Sequence, residues 1–120
     1  LNRGVKELFE FLKKKKIKTA LVTRNNKNAA RIIMEKFGLN FGAVVTREDA
    51  NPKPSGEQLE LAMEKLGFEK SEVLFVGDHR CDLEAGRKVG VNTYLLRGKF
   101  SENLDAQFID SISKVANLVR

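Results

Sequence analysis

Short apolar runs alternate along the chain with amphipathic helical patterns, and this alternation restricts the possible folds more than any other feature. Four runs, at 20–22, 43–45, 73–76 and 93–96, have the length and composition of buried strands. This order predicts an α/β fold with a parallel sheet and right-handed crossovers. Apolar residues also recur at the spacing of one helix face, in Val5/Leu8/Phe9/Leu12, Ala30/Ile33/Met34/Phe37, Leu59/Ala62/Met63/Leu66 and Ile112/Val115/Ala116/Val119. These faces, including their methionines, are expected to form the core.

The composition is that of one globular domain, which we expect to span residues 1–120. The 120 residues are 42% hydrophobic and 32% charged, which is enough apolar material for a single core. No apolar stretch approaches the roughly 18 residues that a membrane span needs. Cys81 is the only cysteine, which excludes an internal disulfide framework and a cysteine metal cluster. These features favour a cytoplasmic protein with no membrane partner.

The formal net charge is +6, but its distribution argues against nucleic-acid binding. The excess is spread over helix faces and concentrated in Lys13-Lys14-Lys15-Lys16, where a helix ends and its macrodipole favours cations. No aromatic residue interrupts this run to stack on bases. A basic surface also attracts phosphorylated metabolites. The expected partner is therefore a small phosphorylated molecule and not a nucleic acid.

Two carboxylates four residues apart, Asp78 and Asp82, follow the third strand-like run. The run ends at Gly77, and the residues from Leu83 to Val89 suit a helix, so the pair marks a turn from strand to helix. Ligands of open α/β sheets collect beyond the carboxyl ends of the strands, and carboxylate oxygens suit Mg²⁺. A simpler interpretation stays open, because Asp is common in turns after Gly and Asp82 could simply cap the helix.

Thr23 and Lys53 follow two earlier strand-like runs and carry groups that bind phosphate. Thr23 ends the run 20–22, and its hydroxyl and the next backbone amides could hold a phosphate at the start of a helix. Lys53 lies between Pro52 and Pro54, in a rigid segment that holds one ammonium group in place. A surface lysine is more often only solvated. The topology nevertheless brings a hydroxyl, a lysine and two aspartates to the same edge of the sheet.

A hydroxyl, a lysine and two aspartates are the groups that phosphoryl transfer requires, since that reaction depends on positioning and charge neutralisation. In this order, Leu21-Val22-Thr23, Lys53-Pro54 and Gly77-Asp78 with Asp82 resemble the motifs of the haloacid-dehalogenase-like superfamily of phosphohydrolases, most closely its phosphoglycolate-phosphatase-like branch. The resemblance covers nearly the whole chain and implies a three-layer, Rossmann-like core. It also implies a Mg²⁺-dependent phosphatase of small phosphorylated metabolites that acts through an aspartyl-phosphate intermediate.

The resemblance gives each matching residue a role. Thr23 would bind the transferring phosphoryl group, and Lys53, as a catalytic residue, would steady both that group and the charge of the nucleophile. Asp78 would bind Mg²⁺, and Asp82 would support or complete the metal shell. His79 matches no required position of the family, and we expect it to be solvated.

The family's first motif, Asp-x-Asp on the first strand, has no counterpart in this sequence. In the family one Asp attacks phosphorus and the other is the general acid and base. We expect this strand upstream of residue 1, in the middle of the sheet between the strands that end at Thr23 and at Gly77. The family's cap domain is also absent from the chain. The chain is therefore expected to be a carboxyl-terminal portion, inactive alone, with an upstream segment or a second copy completing the sheet.

Other functions fit parts of the pattern. A response-regulator receiver uses similar groups, but its acidic residues come first, whereas Thr23 and Lys53 precede Asp78 here. A sugar-phosphate mutase of the same superfamily shares the motifs and differs mainly in its cap and upstream loop. A relative that only binds phosphate or acts as a scaffold is the alternative without enzyme activity. The sequence alone leaves the mutase and the non-catalytic relative open.

Overall fold

Helices and strands alternate from the amino end of the chain, as the sequence predicts. The structure is a computed structural model that describes residues 4–97, 104–111 and 114–119. Its helices are α1 (Val5–Lys14), α2 (Lys27–Phe37), α3 (Glu57–Leu66), α4 (Arg80–Val89) and α5 (Val115–Leu118), with a turn of 3₁₀ helix at Lys70–Glu72. Its strands are β1 (Ala20–Val22), β2 (Ala43–Val45), β3 (Leu74–Gly77), β4 (Asn92–Leu96) and β5 (Gln107–Ile109). No helix in the described ranges is long and apolar enough to cross a membrane.

The predicted strands are confirmed to within one residue at each end. β3 begins at Leu74 and β4 begins at Asn92, one residue away from the expected positions. The helical patterns are confirmed as α1, α2, α3 and α5, and the helix expected after Asp82 is α4. Ile112, the first residue of the last pattern, lies outside the described residues. The strand β5 was not predicted, because Gln107-Phe108-Ile109 begins with a polar residue and does not form a continuous apolar run.

The strands form two parallel sheets within the described residues. β1 pairs with β2, from Ala20 opposite Ala43 to Val22 opposite Val45. β3, β4 and β5 form the second sheet, with β4 in the middle. No backbone pairing joins β1 to β3 in the part of the chain that the structure describes. These are the two strands between which the resemblance places the first strand of the family.

Helices cover both faces of the three-stranded sheet, which gives the three layers that the resemblance implies. Successive side chains of β3 point to opposite faces. Leu74 and Val76 pack against α1, β5 and α5, whose buried residues in this core are Leu8, Leu12, Ile109 and Val115. Phe75 packs on the other side against a core with Leu59, Ala85 and Val91 as its buried residues. Val22 of β1 packs against the same core, so the layer of α3 and α4 spans both sheets.

Helix α2 is where the sequence prediction of the core is wrong. Ala30 is buried, but Ile33 and Phe37 are 41% and 39% exposed. No strand or other helix among the described residues packs extensively against α2. The apolar face of its last turns therefore meets solvent. Met34 and Met63, which were expected in the core, are both only partly buried.

A turn after β2 fixes the start of α2. Thr46 is buried, and its N–H and hydroxyl donate to Oδ2 of Asp49 at 2.9 and 3.1 Å. Nζ of Lys27, the first residue of α2, lies 3.2 Å from the other carboxylate oxygen of Asp49. The hydrogen bond from the backbone of Thr46, followed by the one from Lys27, lowers the pKa of the Asp49 carboxyl.

We expect Asp49 to make the stability of the chain depend on pH in the acidic range. Because its pKa is lower in the folded state, the carboxylate stabilises the fold above the unfolded pKa of about 3.9. That contribution is lost as the pH falls through the folded pKa. Asp49→Asn should therefore lower the free energy of unfolding at neutral pH and flatten its fall in acid.

Urea unfolding measured from acidic to neutral pH tests this prediction. Glu64→Gln, which removes an exposed carboxylate on α3, is the matched control for the loss of one negative charge and should change the free energy of unfolding at neutral pH less than Asp49→Asn does. Identical pH dependence in Asp49→Asn and the wild type would contradict the assignment.

Candidate functional site

Thr23 follows β1 directly and is held through three of its groups. Its N–H donates to the carbonyl of Val45 at 3.0 Å, and its own carbonyl accepts from Nε2 of Gln58 at 2.8 Å. Its hydroxyl accepts from the N–H of Asn25 at 3.1 Å. A hydroxyl that accepts one hydrogen bond still has its own hydrogen to give. Oγ1 of Thr23 is therefore able to donate to a phosphoryl oxygen.

The amides at the start of α2 are less open to an anion than the sequence predicts. Asn26 caps the helix by accepting from the N–H of Ala29 at 2.8 Å. Oε1 of Glu48 accepts from the N–H of Lys27 at 2.7 Å, so a carboxylate of the protein already lies at this helix end. The hydroxyl of Thr23, rather than a group of backbone amides, is therefore the clearest hydrogen-bond donor for a phosphate in this loop.

Lys53 joins the end of β1 to the start of α4. Its Nζ donates to the carbonyl of Val22 at 3.1 Å and lies 2.7 Å from Oδ1 of Asp82. The ring centroid of Phe75, on β3, is 5.7 Å from the same Nζ, which adds a cation–π contact. The side chains of Lys53 and Asp82 are only 10% and 8% exposed, so this ion pair is largely buried. An ammonium has three donors, and Lys53 therefore has one left for a phosphoryl oxygen.

Asp82 is engaged through both carboxylate oxygens. Oδ1 faces Lys53, while Oδ2 accepts from the N–H groups of Asp78 and His79 at 3.0 and 3.2 Å. The bond to His79 belongs to a capping box at the start of α4, where Nδ1 of His79 accepts from the N–H of Cys81 at 3.1 Å. The simpler interpretation of Asp82 as a helix cap is confirmed. His79 was expected to be solvated, but it is a helix cap as well.

Gly77, at the end of β3, makes room for the Asp82 carboxylate. A Cβ atom at position 77 would overlap the Cβ and carboxylate atoms of Asp82. Any side chain there would push Asp82 away from the strand end and from Lys53. A close approach of this kind requires glycine, which gives the Gly77-Asp78 motif a physical reason.

Asp78 has the exposed carboxylate of the predicted pair. Its side-chain oxygens make no hydrogen bond or ion pair within the described residues. Mg²⁺ prefers such hard oxygen ligands and commonly binds one or two carboxylates while keeping several waters. Asp78 fits such an ion, whereas Asp82 would have to give up its bonds to Lys53 and to two amides. No cluster of three or more acidic, His or Cys side chains forms in the described ranges, so Asp78 would be one ligand among several.

One series of contacts joins the four residues singled out in the sequence. Thr23 follows Val22, whose carbonyl binds Lys53, and Lys53 pairs with Asp82. Asp82 in turn accepts from the backbone of Asp78. The structure thus places the predicted hydroxyl, lysine and carboxylates at one edge of the two sheets.

Two further contacts at this edge were not predicted. Gln58 of α3 binds the carbonyl of Thr23, 35 residues away in sequence. Nη1 of Arg24 lies 3.8 Å from Sγ of Cys81, 57 residues away, and ties the loop after β1 to α4. Pairings over such separations leave no periodic signal in the sequence, so pattern analysis could not find them.

Comparisons with known proteins identify the family. Residues 1–96 match the family model of haloacid dehalogenase-like hydrolases. The chain is 37% identical over 103 residues to the pyrophosphatase PpaX of Halalkalibacterium halodurans, which covers 80% of this chain and 48% of that protein. It is 35% identical over 100 residues to the N-acetylmuramic acid 6-phosphate phosphatase of Pseudomonas putida, covering 81% of this chain and 45% of the relative. The chain thus spans about half the length of these curated relatives.

A solved structure shows the same architecture. It is described as a predicted phosphoglycolate phosphatase from Haemophilus somnus, and it matches 100% of this chain and 57% of its own chain with a TM-score of 0.90. At 22% identity this likeness shows the fold alone, and it confirms the α/β fold that the sequence predicts and the three-layer core that the resemblance implies. The family model covers most of the chain, including Thr23, Lys53 and Asp78. The chain belongs to the haloacid dehalogenase-like hydrolase family.

Proposed function

We propose that this chain is the carboxyl-terminal part of a Mg²⁺-dependent phosphatase of small phosphorylated metabolites. The observation that carries the proposal is the buried lysine contact, in which Lys53 binds the carbonyl before Thr23 and the carboxylate of Asp82. This contact brings together Thr23, whose hydroxyl would donate a hydrogen bond to phosphate, the Lys53 ammonium and the loop of Asp78. Membership of a hydrolase family supports the proposal. So do the curated relatives, which are a pyrophosphatase and an N-acetylmuramic acid 6-phosphate phosphatase.

In this proposal the described residues supply the binding half of the site. Oγ1 of Thr23 donates to one phosphoryl oxygen. The remaining donor of Lys53 binds another and offsets the negative charge that develops during transfer. Asp82 holds the ammonium in place through the ion pair and two backbone hydrogen bonds. Asp78 would hold Mg²⁺, which when bound neutralises charge on the phosphate oxygens.

The nucleophile is proposed to come from a further segment with the family's Asp-x-Asp motif. By the resemblance, one carboxylate attacks phosphorus and forms an aspartyl phosphate while the bond to the leaving oxygen breaks. The second Asp gives that oxygen a proton. Water activated by the same Asp then attacks the phosphoryl group, which releases inorganic phosphate and restores the nucleophile.

The open edge of β1 supports the insertion of such a segment. The carbonyl of Thr19 and the N–H of Thr23 bond to β2. Because alternate residues of a parallel strand bond to opposite neighbours, the N–H groups of Ala20 and Val22 and the carbonyl of Ala20 face the other edge. The carbonyl of Val22 already accepts from Lys53. A strand between β1 and β3 would pair with the three remaining groups and bring its carboxyl end next to Lys53.

Phosphate release by the complete gene product tests the function. With a panel of phosphate monoesters and pyrophosphate, we expect release that requires Mg²⁺ and stops when EDTA is added. Asp78→Asn should raise the Mg²⁺ concentration needed for half-maximal rate by roughly 10-fold or more, because it removes a charged ligand.

Asp105→Asn is the matched control for this experiment, since Asp105 is an exposed aspartate outside the site. It should leave the Mg²⁺ requirement unchanged. Release that persists in EDTA, or an Asp78→Asn variant with the wild-type requirement, would count against the proposal.

A further inference from the structure

Gln58 is a fully buried polar side chain next to the candidate site. It is the second residue of α3 and is 0% exposed. Its Nε2 donates to the carbonyl of Thr23 at 2.8 Å. Its Oε1 is buried and meets no hydrogen-bond donor within the described residues. The amide therefore makes one specific contact, and that contact is to the residue proposed to bind phosphate.

The segment that leads into α3 holds two successive carbonyls at the end of β1. Lys53 binds the carbonyl of Val22, and Gln58 binds that of Thr23. Both donors come from one short stretch of chain, so the strand end and the ammonium are fixed relative to each other. The position of Thr23 relative to the Lys53 ammonium therefore depends on both contacts.

An apolar side chain at position 58 would be the simpler solution for stability. A buried amide oxygen without a donor is unfavourable, and this cost offsets the stabilisation that the amide gains from its bond to the Thr23 carbonyl. Local departures from the most stable choice are expected at functional sites. The polar group at this position is thus better explained by what its N–H does for Thr23 than by its contribution to folding.

We propose that Gln58 is a positioning residue for phosphate binding. Its amide fixes the carbonyl of Thr23 so that the Thr23 hydroxyl and the Lys53 ammonium can bind the same phosphoryl group. Gln58 acts through Thr23 and does not touch the substrate. The inference rests on the proposed function of the site and adds to it a residue that matches none of the motifs in the sequence.

Gln58→Met in the complete gene product tests the inference, because Met is similar in length and removes both the donor and the unpartnered oxygen. We expect kcat/KM for para-nitrophenyl phosphate to fall roughly 10- to 100-fold. The inhibition constant of inorganic phosphate should rise, since the ground-state phosphate also loses its positioned hydroxyl. The midpoint of urea unfolding should change little, because the lost hydrogen bond to Thr23 is offset by removal of the buried Oε1 that has no donor.

Gln107→Met is the matched control. Gln107 lies on β5, and its Nε2 also donates to a backbone carbonyl, that of Thr93, at 3.0 Å. This contact has the same chemistry but joins β5 to β4, away from Thr23 and Lys53. The control variant should keep the kcat/KM of the wild type.

The pH dependence of activity in Gln58→Glu distinguishes a positioning role from a purely structural one. When protonated, the introduced carboxyl can donate to the Thr23 carbonyl as the amide does. When ionised, it repels that oxygen. The activity of this variant relative to the wild type should therefore recover as the pH falls, with the folded fraction followed by circular dichroism.

The outcomes separate this inference from the proposed function. An active wild type with an equally active Gln58→Met variant would overturn the role of Gln58 alone. A variant that loses stability and activity together would make Gln58 a structural residue and would also overturn it. A wild-type gene product without Mg²⁺-dependent phosphate release would overturn the proposed function, and the inference with it.

Discussion

Replacing Lys53 by Met is expected to lower the free energy of unfolding by about 3–5 kcal/mol. The side chain of Asp82 is only 8% exposed, so its charge would remain buried without a partner. The carbonyl of Val22 would also lose its donor. Burial of a single uncompensated carboxylate costs more than the net contribution of the intact pair. Urea unfolding of the 120-residue chain, followed by circular dichroism, measures the change.

Lys65→Met is the matched control for this loss. Lys65 is an exposed lysine in the last turn of α3, where it interacts mainly with the helix macrodipole. That interaction contributes about 0.3–1 kcal/mol, so the control should lose no more than this. A loss for Lys53→Met as small as that of the control would mean that the ion pair with Asp82 does not form.

The backbone amides at the open edge of β1 should become protected from hydrogen exchange when a further strand completes the sheet. In the 120-residue chain the amides of Ala20 and Val22 face away from β2, so they should exchange with solvent readily. The amide of Thr23 bonds to Val45 and should exchange more slowly. In the complete gene product a strand beside β1 would bond the first two amides and slow their exchange by roughly two orders of magnitude.

Hydrogen exchange followed by NMR on both proteins resolves these amides individually. Thr23 provides the internal reference, because its partner on β2 is present in either case. Protection that rises equally at Thr23 and Val22 would indicate general stabilisation and not a new strand. Unchanged protection at Ala20 and Val22 would rule out a strand at this edge.

The sequence predicts the fold well where a local pattern decides the structure. The run 73–76 is apolar, short and followed by Gly77, and it forms β3 with a shift of one residue. The burial of Ile33 and Phe37 was predicted wrongly because it depends on which elements pack against α2, and helical periodicity does not report that. The strand β5 was missed because it is defined by its pairing with β4 rather than by its own three residues.

Candidate site residues can be proposed from the sequence, but their partners cannot be. Thr23, Lys53 and Asp78 are candidates because each follows a strand-like run and carries a group suited to phosphate or Mg²⁺. The use of Asp82 to hold Lys53 depends on how α4 packs against the end of β1, which no spacing along the chain reveals. The same holds for Gln58, which in the sequence is one polar residue of an amphipathic helix.

We propose that this chain carries the phosphate- and metal-binding half of a phosphoryl-transfer site whose nucleophile lies on another strand. The deciding measurement is phosphate release with Mg²⁺, compared between the 120-residue chain and the complete gene product. We expect release by the complete gene product and none by the chain alone, although Thr23, Lys53 and Asp78 are present in both. Mg²⁺-dependent turnover by the purified, sequence-verified 120-residue chain would show instead that these residues hold a complete catalytic site.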